Sequence, residues 1–444
     1  MKLSKYTLFY DNYNSQGDAL AYNTRTQGVL GVNKQAREFI GNICQLDQQT
    51  SRPADLQTAL GILADSGIIV DDRIDEDQAL EGWFEEIKFR ARPLHATVLT
   101  TFKCNFACAY CFEQGVRDER TMSDQTADEV IEFLKRKAIE KNSQKVRLMF
   151  YGGEPLMNPK AIIRIATALK QWAAERGIKF SFGMITNGSL VKKDIIEQLA
   201  KLGLTSIRIT LDGDKETHDK RRPFADGRGS FENIVANVFP VSDIVKLELG
   251  ANFDQDNLAG LHRLLDYLEQ KNLNKRIARV LFAPVVSRLG GDLKESRRGA
   301  QVGCTKLSGE LAEQGIKLEK ELIQRGYNTP SSVQVNACPM TMDDSMLVID
   351  PMGGIYKCEA FAGREQFRVG NVREPRFNSR YDEFLALKPW KECLDCPYVP
   401  MCGGGCRYIA RLKHGDYTKR ACDKEYYEKI FPQLLKMDYE RGAL

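Results

Sequence analysis

Cys104, Cys108 and Cys111 fall within one short stretch, TFKCNFACAYCFEQG (101–115), with a tyrosine just before the third sulfur and a phenylalanine just after it. A tetrahedral structural site needs a fourth ligand, and no further Cys or His follows nearby. Three thiolates on one loop suit three irons of a [4Fe–4S] cube, whose fourth iron is then open to a small molecule. Zinc is the other reading of clustered sulfurs. It calls for paired CxxC motifs or spaced histidines, and His95, His218, His262 and His414 show no such spacing.

Seven more cysteines lie between 338 and 422: Cys338 and Cys358 spaced C-x19-C with Gly353 between them, then Cys393, Cys396, Cys402, Cys406 and Cys422 spaced C-x2-C-x5-C-x3-C-x15-C. Cys304 stands alone in AQVGCTKL, and Cys44 lies at helical apolar spacing with Phe39, Ile40 and Ile43, as a packed core thiol would. The opening residues MKLSKYTLFYDNYN carry no apolar signal core, so a cytoplasmic location is expected, where thiols stay reduced and clustered cysteines point to metal or Fe–S ligation.

These sulfurs need a scaffold. The chain has 444 residues, above the roughly 250–300 at which one core stops growing, so several domains are expected. A hydrophobic share of 43% and a net charge of +4 fit a soluble globular protein and give no reason to expect nucleic acid as partner. No apolar run approaches the roughly 18 residues a membrane span needs. Residues 1–90 read as short strands, two helices and a closing strand, a winged-helix-like module followed by a helical linker. From 91 to 290 the runs ATVLTTF, KVRLMFY, KFSFGMIT, SIRITLD, VKLELGANF and RVLFAPVV alternate with helices whose ends are legible: Asn158 with Pro159 at one start, Gly177 and Gly203 at two ends, Ser230 at another start. Six βα units predict an α/β fold with a parallel sheet, most simply an incomplete (β/α)6 TIM-like barrel with its chemistry at the C-terminal strand ends. A bridging region (291–337) and a cysteine-rich region (338–444) follow.

CxxxCxYC after the first barrel strand, here Cys104, Cys108, Tyr110 and Cys111, resembles the radical S-adenosylmethionine (SAM) enzymes. The resemblance implies that the methionyl group of SAM chelates the open iron and that SAM yields a 5′-deoxyadenosyl radical, which takes a hydrogen from substrate. GGEP (Gly152, Gly153, Glu154, Pro155) follows the second strand, where the family receives the SAM amine; glycines permit close approach and a carboxylate pairs with an ammonium. ITNGS and ITLDG follow the third and fourth strands, so Thr186, Asn187 and Asp212 are expected to face the cofactor, Asp212 also with a catalytic part. Residues 210–238, with His218, Asp219, Arg222 and Ser230, resemble the peptide- and protein-modifying branch that includes anaerobic sulfatase maturases. Arg222 and Asp219 are expected to order that loop near SAM.

The C-terminal spacing resembles the SPASM extension of radical SAM peptide maturases. It implies two auxiliary [4Fe–4S] clusters, one on Cys338, Cys358 and Cys406, the other on Cys393, Cys396, Cys402 and Cys422, three clusters in all. Seven thiolates leave one corner, which Cys304 would close or which stays open to substrate. Glu359 stands where sulfatase maturases carry an aspartate base, and so is a candidate to take a proton from the substrate radical.

Residues 1–90 resemble the peptide recognition (RRE-like) domain of maturases of ribosomally made peptides, where a leader adds a strand to an exposed sheet edge. The combined expectation is a radical SAM/SPASM maturase that cross-links a precursor peptide, a thioether first and a carbon–carbon bond next, reduced by a flavodoxin or ferredoxin. A formylglycine-forming sulfatase maturase, a peptide epimerase with Cys304 or Cys44 as hydrogen donor, and a non-enzymatic Fe–S carrier are the alternatives.

Overall fold

The computed structural model describes residues 1–43, 54–90, 93–286, 300–301, 309–331, 333, 335 and 338–444. Cys44 and Cys304 lie outside the described residues. The chain opens with β1 (Lys2–Leu3), β2 (Thr7–Tyr10), β3 (Ala19–Asn23) and β4 (Val29–Val32), the last three forming an antiparallel sheet in the order β2-β3-β4. Next come α1 (Lys34–Gly41), capped by the Asn33 side chain, α2 (Ala54–Asp65), and β5 (Ile69–Val70), which pairs antiparallel with β1. Strand residues alternate between faces, and β3 buries both. Ala19 and Ala21 pack with Ile40, Leu60 and Leu63, while Leu20 and Tyr22 pack with Tyr398, Met401, Tyr427 and Phe431 of the cysteine-rich region. The N-terminal sheet is thus sandwiched between its own helices and the C-terminal part of the chain.

Helix α3 (Glu76–Phe89), capped by Asp75, leads into six strands: β6 (Leu94–Leu99), β7 (Lys145–Tyr151), β8 (Lys179–Thr186), β9 (Leu204–Thr210), β10 (Lys246–Phe253) and β11 (Ile277–Val286). They lie in chain order with every neighbouring pair parallel. Parallel neighbours need long crossovers, supplied by α4 (Asp124–Glu140), α5 (Pro159–Ala174), α6 (Lys193–Leu202), α7 (Lys215–Arg221), α8 (Phe231–Val238) and α9 (Leu258–Gln270). Asn158 caps α5 with Pro159 in its first turn, and Gly203 ends α6 in the left-handed region. The six sequence-predicted strands correspond to β6–β11.

The sheet continues past both ends of this set. β12 (Ala300–Gln301) pairs antiparallel with β11. After α10 (Glu310–Gln324), β13 (Met346–Ile349) pairs parallel with β6 and carries β14 (Gly354–Tyr356) and β15 (Gly370–Asn371) antiparallel beside it. The ten strands run β12-β11-β10-β9-β8-β7-β6-β13-β14-β15, and among the described residues the outer strands do not pair with each other. Three strands of the cysteine-rich region therefore share the barrel sheet, and the expected boundary at 338 is no break in the hydrogen-bond ladder. The chain ends in α11 (Ser379–Leu385), α12 (Val399–Cys402), α13 (Arg407–His414), α14 (Lys424–Lys429) and α15 (Phe431–Glu440). Among the described residues no helix is long and apolar enough to cross a membrane.

Candidate active site

The loop after β6 is clamped from two sides. On one, the Gly153 N–H donates to the Thr101 carbonyl at 3.0 Å and the Glu154 N–H to the Lys103 carbonyl at 2.8 Å. Gly152 has φ +123°, and a Cβ here or at Gly153 would lie 2.3 Å from the Thr101 oxygen or 2.0 Å from the Lys103 oxygen; only glycine permits this approach. On the other, Ala107 N–H donates to the Pro223 carbonyl and Ala225 N–H to the Asn105 carbonyl. Arg117 Nη2 donates to the carbonyls of Cys104 (2.9 Å) and Phe106 (2.7 Å), fixing the loop from within.

Cys104, Cys108 and Cys111 all line one cavity of about 800 Å³. Burial pushes the Cys104 thiol up to about 11 and the Cys111 thiol up to about 12, and the neighbouring Cys108 adds to both. Cys108 is also raised by burial, with the Arg222 guanidinium pulling against it. Without a cation these groups stay protonated, so a bound metal must displace protons.

The carboxylate of Glu154 is turned inward rather than toward a ligand. It accepts from Leu156 N–H (3.0 Å), Thr186 Oγ1 (2.8 Å) and Asn187 N–H (2.7 Å), which tightens the turn after β8 onto the turn after β7. Buried Pro155 begins the 3-10 turn that follows. Gly152, Gly153, Thr186 and Asn187 remain on the cavity wall, and Asn187 Nδ2 lies 3.8 Å from Cys104 Sγ.

Asp212 does not face the cavity either. It is fully buried, with Oδ1 accepting from Asn252 N–H (2.8 Å) and Oδ2 from the Tyr110 hydroxyl. Both oxygens are engaged, so its part is to hold Tyr110 rather than to act on substrate. The Tyr110 oxygen also accepts from Arg222 Nη1 (2.5 Å) and Asn252 Nδ2 (2.8 Å). Ser230 stands at the start of α8 without capping it by its side chain. Asp219 Oδ1 accepts from Ser230 N–H (2.7 Å) and Phe231 N–H (2.8 Å) in its place. The Ser230 hydroxyl donates to the Arg222 carbonyl (2.6 Å) and faces His218 Nε2 (3.1 Å). His218 Nδ1 accepts from Asp212 N–H at 3.1 Å, which puts the ring proton on Nε2.

Among the described residues, four buried polar atoms of side chains that line the cavity have no protein partner: His95 Nε2, Glu113 Oε1, Arg222 Nε and Asn252 Oδ1. Unpaired buried polar atoms are costly and scarce. None but Arg222 was singled out from sequence. Asn252 sits near the C-terminal end of β10, where the barrel rule would have found it; Glu113, two residues past Cys111, lay in the cysteine loop itself, and His95 carried no comparable signal. A second hollow of about 640 Å³ opens among Leu204, Lys246 and Ala278 at the opposite strand ends, with no cysteine among the described residues that line it.

Part of the cavity lining comes from the cysteine-rich region. Cys358 and Glu359 follow β14 and line it. Glu359 Oε1 accepts from Thr97 Oγ1 at 2.8 Å; burial raises this carboxyl, against the pull of that hydrogen bond and of the Arg208 guanidinium. Around Cys358, which burial holds well above the usual thiol range, Cys338 and Cys406 are the nearest thiol influences. Burial likewise raises Cys396 and, to about 12, Cys402, and both also feel Cys393 and Cys422. Of these seven cysteines, Cys358 lines the cavity and Cys338, Cys393, Cys396, Cys402, Cys406 and Cys422 do not. Among the described residues no three Cys, His, Asp or Glu side chains are close enough to ligate a single ion.

Residues 98–239 match the Radical SAM superfamily. Over 377 residues the chain is 23% identical to the radical SAM cyclopropyl synthase TigE of Paramaledivibacter caminithermalis, covering 76% of this chain and 72% of that protein. Its fold is similar to that of anSMEcpe with bound AdoMet and Cp18Cys peptide (TM-score 0.61, 18% identity, 78% of this chain and 99% of that one). It is also similar to Streptococcus suis SuiB bound to the precursor peptide SuiA (TM-score 0.55, 16% identity, 94% of this chain and 98% of that one). The chain carries a Radical SAM domain, and the protein is a radical SAM enzyme, which removes the electron-carrier reading. The three-sulfur loop, the glycine turn packed on it and the unpaired polar atoms fit SAM and one [4Fe–4S] cluster.

Proposed function

We propose that this enzyme installs an intramolecular cross-link in a ribosomally made precursor peptide, a thioether first and a carbon–carbon bond next. The observation that carries the reading is the cavity itself, which Cys104, Cys108 and Cys111 line together with Cys358 and Glu359. SAM and its iron–sulfur partner, when bound, supply a radical that abstracts hydrogen from substrate. Gly152, Gly153, Thr186 and Asn187 hold the SAM methionyl end, and Arg222 Nε and Asn252 Oδ1 offer it a donor and an acceptor. Glu359 takes the proton released as the substrate carbon is oxidised. Cys338, Cys358 and Cys406 would hold one auxiliary [4Fe–4S] cluster and Cys393, Cys396, Cys402 and Cys422 the other, and such clusters would supply an acceptor for the second electron. Flavodoxin or ferredoxin is the reductant.

The N-terminal module is the leader-binding part. Edge strands β2 and β4 have no outer strand among the described residues, and a leader pairs there by main-chain hydrogen bonds. The likeness to SuiB spans 94% of the chain, against 78% for anSMEcpe, which favours a precursor peptide over a sulfatase. The test is mass spectrometry of the peptide encoded beside this gene after anaerobic incubation with reconstituted enzyme, SAM and dithionite. Loss of two hydrogens without new iodoacetamide-reactive thiols, absent from a Cys104→Ala, Cys108→Ala, Cys111→Ala variant, supports the cross-link. Deuterium uptake from heavy water without mass loss makes the enzyme an epimerase.

A further inference from the structure

Arg407 is fully buried, with no carboxylate at ion-pair distance among the described residues. Its five N–H groups go to backbone oxygens only. Nη1 donates to the carbonyls of Tyr417 (2.9 Å) and Lys419 (2.7 Å), Nη2 to Gly404 (2.5 Å) and Gly405 (2.9 Å), and Nε to Gly405 (3.3 Å). These carbonyls are not arbitrary ones. Gly404 and Gly405 join Cys402 to Cys406, and residues 417–419 lead into Cys422. The guanidinium therefore sits in the seam between the three-sulfur set, to which Cys406 belongs, and the four-sulfur set, to which Cys402 and Cys422 belong.

A buried charge without a counter-charge is expensive, and carbonyl dipoles offset it only in part. Arg407 directly follows Cys406, and the carbonyls it holds belong to the segment from Cys402 to Cys406 and to the segment leading into Cys422, so both sulfur sets are tied to this one cation. As thiols they are neutral and leave the cation uncompensated. As thiolates on iron they supply the missing negative charge.

We propose that Arg407 is the shared counter-cation and positioning residue of the two auxiliary clusters, holding Cys402, Cys406 and the approach to Cys422 in one unit and raising the reduction potential of both clusters together. The inference rests on the reading that these cysteines carry iron. Hydrogen bonds and net charge around a cluster set its potential, and a cation placed between two clusters stabilises the reduced, more negative form of each.

The test uses the full chain in a Cys104→Ala, Cys108→Ala, Cys111→Ala background, so that only auxiliary iron remains, with Arg407 intact, Arg407→Lys or Arg407→Met. Iron and sulfide are counted, and EPR-monitored potentiometry reads the midpoints; no activity is needed. Arg407→Met is expected to make reduction of both clusters at least tenfold less favourable, about 59 mV more negative for one electron. Arg407→Lys, which keeps the charge, is expected to stay close to the parent. A shift in one cluster alone, or equal shifts in the Lys and Met variants, overturns the shared-cation role. If Arg407→Met holds no iron, the Lys variant decides: retained iron with parent-like midpoints supports the proposal, and equal loss of iron makes Arg407 a loop clamp and overturns it. If the Arg407-intact background itself binds no iron, it is the cluster reading that fails.

Discussion

The Arg222 guanidinium reaches from the end of α7 to the Tyr110 hydroxyl, 2.5 Å away, and so ties the segment behind β9 to the tyrosine between Cys108 and Cys111. The same oxygen accepts from Asn252 and donates to Asp212. Tyr110→Phe removes one atom and leaves three buried groups short of a partner, at about 1–3 kcal/mol for a group left unsatisfied. The denaturant midpoint is expected to fall and iron on the three-cysteine loop to become easier to chelate. An unchanged midpoint and unchanged chelation rate would remove Tyr110 from the scaffold of the loop.

Glu154 joins two turns without touching the cavity, so its loss should separate SAM binding from iron binding. Glu154→Gln puts an amide donor against one of three donors, Leu156 N–H, Thr186 Oγ1 or Asn187 N–H. SAM affinity, read by equilibrium dialysis, is expected to weaken by roughly tenfold, the size of one buried hydrogen-bond defect. Iron content is expected to hold. Parallel loss of iron would mean that the turn after β7 shapes the cysteine loop more than it shapes the SAM pocket.

His218 supplies a pH signature of its own. Burial, with help from Arg222 and Arg221, holds its pKa well below 6.5, and its two nitrogens are engaged with Asp212 N–H and Ser230. As pH falls below the ordinary histidine value, the unfolded chain takes up a proton that the folded chain refuses, so stability drops. The slope for one such group approaches about 1.4 kcal/mol per pH unit. His218→Gln is expected to be less stable at pH 8 but to lose less between pH 6.5 and 5. Equal losses in the two proteins would mean that His218 protonates in place.

How far the sequence carried these features depended on the kind of signal. The six parallel strands were legible because each is a run of apolar or β-branched residues covered on both faces, set off by helices with readable ends such as Asn158–Pro159. β13 was not, because MLVI is four residues long and its partner β6 lies some 250 positions away in the chain. Motifs placed Glu154 and Asp212 at the right turns but not in the right direction, since adjacency in sequence says nothing of which way a carboxylate points. Ser230 read as a helix cap by residue type, yet its hydroxyl serves Arg222 and His218 and the capping falls to Asp219, eleven residues earlier. His95 was illegible because only the fold brings it to the cavity that Cys104 and Cys358 share, whereas Glu113, two residues past Cys111, lay in the cysteine loop itself and was passed over.

Glu359 offers the sharpest separation of the two halves of the reaction. Its carboxylate is held by Thr97 Oγ1 on β6, and Glu359 lines the cavity that Cys358 and the Cys104 loop also line. A proton acceptor there matters only once a substrate radical has formed, and positioned general bases are worth about 10²–10⁴-fold. Glu359→Gln keeps the shape and the hydrogen bond to Thr97 while removing the basic oxygen. Substrate-dependent 5′-deoxyadenosine formation is expected to stay near the parent rate while oxidised peptide falls by about 10²-fold or more. Thr97→Val, which frees Glu359 without neutralising it, is expected to give an intermediate loss. Equal losses of 5′-deoxyadenosine and oxidised peptide in Glu359→Gln would place the residue in substrate binding and leave the proton to another group.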